Sequence, residues 1–152
     1  SALLDSFTVL QNVALPLYER GEKNTDFIRD KVLHCLQIVG LEDTASLYPA
    51  QLSGGMRKRI SIARALVYDP DYIIFDEPVS GLDPITSREI MFYITRIVET
   101  ASATLITITH ELKNIDAVGN QILFLNEGKV IFNGSVKELY NSTDSFVQQY
   151  LK

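Results

Sequence analysis

A short apolar run, residues 72–75, limits the folds open to this chain more than any other feature. It consists of Tyr-Ile-Ile-Phe and ends in two carboxylates, Asp76 and Glu77. A continuous apolar run of this length is typical of a parallel strand that is covered on both faces. Residues 104–109 are rich in β-branched side chains and predict a second buried strand.

Residues typical of helix N-termini and C-termini recur along the rest of the chain. Pro16 is expected to kink or end the first helix, and Gly40 stands where a C-terminal cap belongs. Ser53, Asp83 and Ser135 are residues suited to cap helix N-termini. The predicted helices cover about 8–18, 25–39, 54–67, 84–100, 111–117, a segment after Ser135, and 143–151.

Strands and helices alternate only in the second part of the chain. Residues 121–125 and 129–132 flank Asn-Glu-Gly, which predicts a β-hairpin. Alternating strands and helices indicate an α/β fold with a mainly parallel sheet and flanking helices. We therefore expect a helical subdomain over 1–68, packed beside a core formed by 69–152.

The composition disfavours several classes of protein. A net charge of −5 argues against a nucleic-acid-binding domain, which is usually basic. No apolar run approaches the ~20 residues needed to span a bilayer, and the first residues lack the basic region of a signal peptide. The single cysteine, Cys35, cannot build a disulfide framework, which favours a reducing cytoplasm.

Ser53, Gly54 and Gly55 form the first candidate site. Two glycines at a helix start let a ligand approach the backbone, and the N–H groups and partial positive charge of that end suit a terminal phosphate. A capped helix after a flexible turn is the plainer alternative. The basic residues 57–59 that follow are interpreted as a solvated face.

Three further candidates follow the two predicted strands, where open α/β sheets bind their ligands. Asp76 could hold Mg²⁺ through its water shell, and Glu77 could orient and deprotonate an attacking water. His110 directly follows the second strand and could reach a γ-phosphate or a lytic water. For the carboxylates the alternative is a surface pair in a loop. His34, within a predicted helix, is interpreted as a packing or surface residue.

Together and in this order, these segments resemble the ABC ATPases. Residues 52–55 are similar to the family's signature segment, 72–77 to its Walker B strand, and 80–83 to its D-loop. His110 resembles its switch histidine, and 123–134 its terminal hairpin. The resemblance covers essentially the whole chain and implies the ABC-type P-loop NTPase fold, with ATP and Mg²⁺ as ligands.

The resemblance also implies a role for each candidate. Asp76 would coordinate the Mg²⁺ of MgATP, Glu77 would be the general base, and His110 would contact the γ-phosphate. The signature residues 53–55 would contact the γ-phosphate of ATP bound to a second ATPase subunit in a homodimer. Asp83 would communicate across that dimer interface.

The main departure from the family is a missing phosphate loop. The chain contains no Gly-x-x-x-x-Gly-Lys-Ser/Thr, since its one Gly-Lys pair, 128–129, has Leu123 where the first glycine is required. In the family this loop precedes the part where this chain begins. The chain is therefore expected to be a truncated C-terminal portion that alone neither binds MgATP tightly nor hydrolyses it.

Small differences point to one branch of the family. Met56 stands where many members have Gln, and Val79 where many have Thr. Residues 52–56 and 81–86, together with 2–9 and 12–17, are similar to the branch that transports phospholipid and maintains outer-membrane lipid asymmetry. The resemblance implies a peripheral subunit on the cytoplasmic face of the inner (plasma) membrane, which docks on transmembrane permease subunits and binds no nucleic acid.

Two other functions remain open at this point. A soluble ABC ATPase acting on DNA or ribosomes is disfavoured by the acidic charge and by the lack of a coiled-coil insertion near the signature segment. A non-catalytic fragment could supply only the signature face to a partner. The presence of Asp76, Glu77 and His110 argues that the parent protein is an active hydrolase.

Overall fold

The computed structural model describes residues 3–100, 103–110 and 119–151, and the predicted helix at 111–117 lies outside them. The chain divides into two compact units: 1–75 with 79–106, and 76–78 with 107–152. The predicted boundary at residue 68 stays a prediction. The elements in chain order are α1 Val9–Glu19, α2 Thr25–Ile38, α3 Gly54–Leu66, β1 Tyr72–Asp76, α4 Pro84–Thr100, β2 Thr104–Ile108, β3 Ile122–Asn126, β4 Lys129–Gly134, α5 Val136–Tyr140 and α6 Ser145–Tyr150.

The first unit is built around packed helices. Helix α1 contacts α2 and α3, while α4 contacts both α2 and α3. The side chains that meet between these helices are apolar and fully buried, and burial of such surface is the main force that holds the helices together. They include Val13, Val32, Leu36, Ile60 and Ile94.

Pro16 does not end α1, contrary to one of the two predicted outcomes. The helix continues to Glu19, and the N–H of Arg20 donates to the carbonyl oxygen of Pro16 at 3.3 Å. A proline in a helix removes one N–H donor and crowds the preceding turn. Burial of Val13 and Leu17 on either side of the proline keeps the helix in place, because tertiary packing outweighs local propensity.

Strands β1 and β2 pair in a two-stranded sheet. The N–H of Thr104 donates to the carbonyl of Asp71 at 2.8 Å, and the N–H of Glu77 donates to the carbonyl of Ile108 at 2.9 Å. The first bond joins the beginning of β1 to the beginning of β2, and the second joins the ends of the two strands. The strands are therefore parallel, as predicted, and their carboxyl ends lie side by side.

The prediction that this sheet is covered on both faces is wrong for the described residues. Ile73 and Phe75 are buried, whereas Tyr72 and Ile74 are 68% and 63% exposed. In β2, Ile106 is likewise exposed. Side chains alternate between the faces of a strand, and within the described part of the chain packing covers only one face.

The second unit contains the predicted hairpin. Strands β3 and β4 are antiparallel, and the two residues between Asn126 and Lys129 have positive φ, as a tight hairpin turn requires. Ile122 on the hairpin packs with Leu139 of α5 and Val147 of α6. No helix within the described residues is long and apolar enough to cross a membrane.

Candidate functional site

Glu77 lies at the carboxyl end of β1 in an unusual backbone conformation. Its φ is +47°, a left-handed value that few residues other than glycine adopt. The bond from its N–H to the carbonyl of Ile108 fixes it beside the end of β2. Strained backbone of this kind persists where the surrounding structure holds it, and it clusters at functional sites.

His110 binds the Glu77 carboxylate twice. The backbone N–H of His110 donates to Oε1 of Glu77 at 3.2 Å, and Nδ1 of His110 lies 2.7 Å from the same oxygen. An ionised carboxylate can only accept hydrogen bonds, so Nδ1 is the donor when Glu77 is in that charge state. The histidine side chain is 70% exposed and that of Glu77 33%. The pair is therefore held in place yet open to solvent.

The second oxygen of Glu77 is placed differently. Oε2 is buried and has no hydrogen-bond partner among the described residues. A buried acceptor without a partner is costly, and such atoms call for an explanation.

Asp76 is suited to a cation whose other ligands are phosphate oxygens and water. It is exposed at the end of β1. No group of three or more His, Cys, Asp or Glu side chains in the described residues is placed to hold a metal ion. Mg²⁺ is usually bound by one or two carboxylates, with phosphates and water completing its shell. The exposed carboxylate of Asp76 fits the role of one of these carboxylates.

The signature segment opens α3 in the first unit. Ser53 is the N-cap, and its Oγ accepts from the N–H of Met56 at 3.2 Å. The two glycines differ in their surroundings. A Cβ added to Gly54 would meet nothing within 4 Å, whereas one added to Gly55 would lie 2.7 Å from Cγ2 of Thr86. Gly54 is thus open to a ligand, and Gly55 permits close packing against α4.

The first turn of α4 is capped by Asp83. Its Oδ1 accepts from the N–H groups of Ile85 and Thr86, both at 3.0 Å, and its Oδ2 accepts from the Thr86 hydroxyl at 2.5 Å. The bond from the Thr86 hydroxyl, followed by that from its backbone N–H, lowers the pKa of the Asp83 carboxyl. Nζ of Lys58 also donates to the carbonyl of Ser80 at 3.1 Å. The signature segment and the D-loop segment therefore lie against each other.

The interpretation of residues 57–59 as a solvated face is wrong. A guanidinium nitrogen of Arg57 donates to the carbonyl of Leu52 at 2.5 Å. One of Arg59 lies 3.1 Å from both the carbonyl of Val39 and the hydroxyl of Tyr93. Nothing in the local sequence marks Tyr93, because it is 34 residues from Arg59.

Comparison with known proteins identifies the family. A sequence model described as ABC transporter matches residues 1–80, more than half of the chain. The chain belongs to the ABC transporter family. The resemblance drawn from the signature, Walker B and D-loop segments is confirmed.

Two kinds of ABC relative resemble the chain at similar levels. It is 41% identical over 138 residues to the methionine import ATP-binding protein MetN of Lactobacillus johnsonii. That match covers 91% of this chain and 39% of MetN. The chain is 38% identical over 151 residues to the intermembrane phospholipid transport system ATP-binding protein MlaF of Haemophilus influenzae, covering 99% and 57% respectively. The chain thus spans about half the length of these relatives.

Solved structures confirm the fold class. The dimeric structure of MJ0796, a bacterial ABC transporter cassette, is 34% identical with a TM-score of 0.71, and the match covers 88% of this chain and 59% of that one. A post-hydrolysis structure of the same cassette with ADP and Pi matches equally well. The chain therefore has part of the ABC-type P-loop NTPase fold.

The structure assembles the predicted site residues into two groups within this ABC fold. Asp76, Glu77 and His110 belong to the second compact unit, while Ser53 to Gly55 and Asp83 belong to the first. Each group is held by hydrogen bonds that the structure shows directly. The chemical role of each residue is a proposal.

Proposed function

We propose that the chain is part of the ATP-hydrolysing, energy-coupling subunit of a membrane ABC transporter. The observation that carries the proposal is the Glu77–His110 pair at the carboxyl ends of two parallel strands. Ligands of open α/β sheets bind at this edge. The names of the relatives, both ATP-binding proteins of transport systems, support it.

Glu77 is proposed as the general base. Its side chain is held by His110 at Oε1 and is one-third exposed, so the carboxylate is proposed to take a proton from an attacking water. His110 holds the carboxylate in position and contacts the γ-phosphate. Asp76 would hold Mg²⁺ of MgATP, which supplies neutralisation of the phosphate charge. In phosphoryl transfer such positioning and charge stabilisation provide nearly all the catalysis.

The signature segment is proposed to act on a second subunit of a homodimer. Ser53, Gly54 and Gly55 begin a helix of 13 residues, whose free N–H groups suit the γ-phosphate of ATP bound to that partner. Asp83, whose segment contacts α3, would relay the state of one site to the other. The dimeric form of the MJ0796 cassette supports this arrangement.

The proposed hydrolytic pair can be tested with a matched histidine. In the intact protein, His110→Ala is expected to lower MgATP hydrolysis by about 10²-fold or more. His34→Ala, which changes an exposed histidine on α2, should leave the rate at the wild-type level. A His110→Ala variant that hydrolyses MgATP like the wild type would refute the assignment.

The 152 residues alone are proposed to be inactive. The chain has no Gly-x-x-x-x-Gly-Lys-Ser/Thr to cradle the phosphates. Calorimetric titration of the chain with MgATP should therefore show no tight binding. A dissociation constant in the micromolar range would contradict this proposal without affecting the role of Glu77 in the intact protein.

The cargo is proposed to be a phospholipid or a related lipid. The similarity of residues 52–56 and 81–86 to the lipid-transport branch supports this, as does the match to MlaF along 99% of the chain. Methionine is the second candidate, because MetN matches with 41% identity. Affinity purification of the intact protein from gently solubilised membranes tests both. A permease with bound phospholipid supports the first, an amino-acid permease supports the second, and only soluble partners would overturn the transport proposal.

The proposed location follows from the transporter role. The subunit would lie at the cytoplasmic face of the inner membrane and dock on permease subunits through the helical segment 1–40. We retain 1–68 as the proposed helical subdomain and 69–152 as part of the ATPase core. Crosslinks from the permease that fell only on 119–151 would contradict the docking side.

A further inference from the structure

The side chain of Arg59 joins three helices of the first unit. It projects from α3, one turn after Gly55. Its guanidinium donates to the carbonyl of Val39, the C-cap of α2, and to the hydroxyl of Tyr93 on α4, both at 3.1 Å. The cation also lies 5.0 Å from the centre of the Tyr93 ring. One arginine therefore fixes α3 against α2 and α4 together.

The partners of Arg59 are themselves held closely. Val39 is fully buried, and Gly40 after it has φ +64°. A Cβ on Gly40 would lie 2.5 Å from the Tyr93 hydroxyl, so only glycine lets that hydroxyl reach the end of α2. We call this contact the Arg59–Tyr93 joint; it also includes Val39 and Gly40. Close packing as well as hydrogen bonding fixes its geometry, so its side chains have few alternative positions.

Two of the three helices that this joint connects begin at the two motif segments of the first unit. Helix α3 begins at the signature segment, and α4 begins directly after the D-loop segment. Their first turns already touch where Gly55 meets Thr86. Arg59 is four residues beyond Gly55 and Tyr93 seven beyond Thr86, so the joint lies one to two turns below that contact.

We propose that Arg59 is a positioning residue, and that the Arg59–Tyr93 joint sets the direction of α3 so that the signature segment presents its N–H groups correctly. The inference rests on the proposed function, in which those groups meet a phosphate. An arginine suits this task better than a lysine, because its planar group has several donors in a fixed geometry and stacks on aromatic rings.

Conservative variants of the intact protein test the proposal. Arg59→Lys keeps the charge but loses the planar group, and Tyr93→Phe removes only the hydroxyl. Arg96→Lys is the matched control, because Arg96 is exposed on α4 and its guanidinium lies over the ring of Phe92 rather than between helices. MgATP hydrolysis gives kcat and KM, calorimetry gives ADP affinity, and hydrogen exchange reports on the amides of Met56 and Arg57, which donate to Ser53.

We expect Arg59→Lys and Tyr93→Phe to lower kcat about tenfold or more, since small misplacements of a positioned group have effects of this size. ADP affinity should change less than about twofold, and exchange at the amides of Met56 and Arg57 should become faster, as their bonds to Ser53 open more often. A change in global stability alone would not produce this separation. If Arg59→Lys does not fold, Tyr93→Phe still decides the question.

The outcomes separate the inference from the proposed function. If the wild type hydrolyses MgATP but both variants match Arg96→Lys in kcat and in exchange, the positioning role is wrong and the ATPase proposal stands. If the wild type does not hydrolyse MgATP, the proposed function fails. Exchange at the amides of Met56 and Arg57 then still decides whether the joint orders the start of α3, and unchanged exchange in both variants overturns that inference.

Discussion

Gly55→Ala is predicted to be far more harmful to stability than the same change one residue earlier. A Cβ at Gly55 would lie 2.7 Å from Cγ2 of Thr86, whereas carbon atoms in contact prefer about 3.5–4.0 Å. The first turns of α3 and α4 would have to separate by roughly 1 Å. Overpacking of this kind costs about 1–3 kcal/mol. Replacing glycine by alanine in a helix returns about 0.5–1 kcal/mol, so the expected net loss is about 0–2.5 kcal/mol.

Gly54→Ala is the matched control for that prediction. A Cβ there meets nothing within 4 Å, so this variant should be neutral or slightly more stable. The helix-propensity term is similar in both variants, and their difference therefore isolates the packing cost of about 1–3 kcal/mol. Urea unfolding followed by far-ultraviolet circular dichroism is a suitable assay, because the chain contains no tryptophan.

Thr86→Ser tests the cause directly. It removes the methyl group that Gly55→Ala would strike, yet keeps the hydroxyl that donates to Asp83. In a double-mutant cycle with Gly55→Ala, we expect a coupling free energy of about 0.5–3 kcal/mol in the favourable direction. If Gly55→Ala is as benign as Gly54→Ala, or if Thr86→Ser gives no rescue, the packing argument is refuted.

Three further predictions concern a buried side chain, a helix cap and the cysteine. Asn12→Ala should lower the free energy of unfolding by about 2–3 kcal/mol, as measured in urea, because the buried Asn12 side chain bonds four backbone groups at 2.8–3.1 Å. The hydrogen bond from the Thr86 hydroxyl lowers the pKa of Asp83 in the folded protein. The stability that this cap contributes is therefore present above the unfolded pKa and is lost as pH falls through the lower folded pKa. Asp83→Asn should make the free energy of unfolding depend less on pH in that range, and an unchanged pH dependence would contradict the assignment. Burial raises the pKa of Cys35 to about 11, so the native thiol should resist disulfide reagents near pH 8 and react on unfolding in urea; rapid reaction of the native protein would contradict this.

Local sequence was sufficient for the bounds of several helices. The predicted N-caps Ser53 and Ser135 both cap in the structure, and each accepts from a backbone N–H three residues on. A cap is a contact between near neighbours in sequence, so the spacing of residue types reveals it. For the same reason Gly40 was correctly placed after α2, where its positive φ ends the helix.

The features that sequence missed depend on distant neighbours. Whether Tyr72 and Ile74 are covered depends on what packs over them, and an apolar run does not reveal which face stays open. Whether Arg59 is solvated depends on Tyr93, and no spacing rule connects residues so far apart. The Glu77–His110 pair lies between these cases, because both residues follow predicted strands and the parallel topology alone brings them together.

The central claim is that Glu77 acts as the general base of an ATPase, and one measurement tests it most directly. The rate of phosphate release from saturating MgATP is compared between the intact wild-type protein, Glu77→Gln and Glu127→Gln. Glu127 is a matched control, because it has the same φ of +47° but lies in the hairpin turn. We predict turnover in the wild type and in Glu127→Gln, with a loss of about 10²-fold or more in Glu77→Gln. Equal rates in all three proteins, or no turnover in the wild type, would contradict the claim.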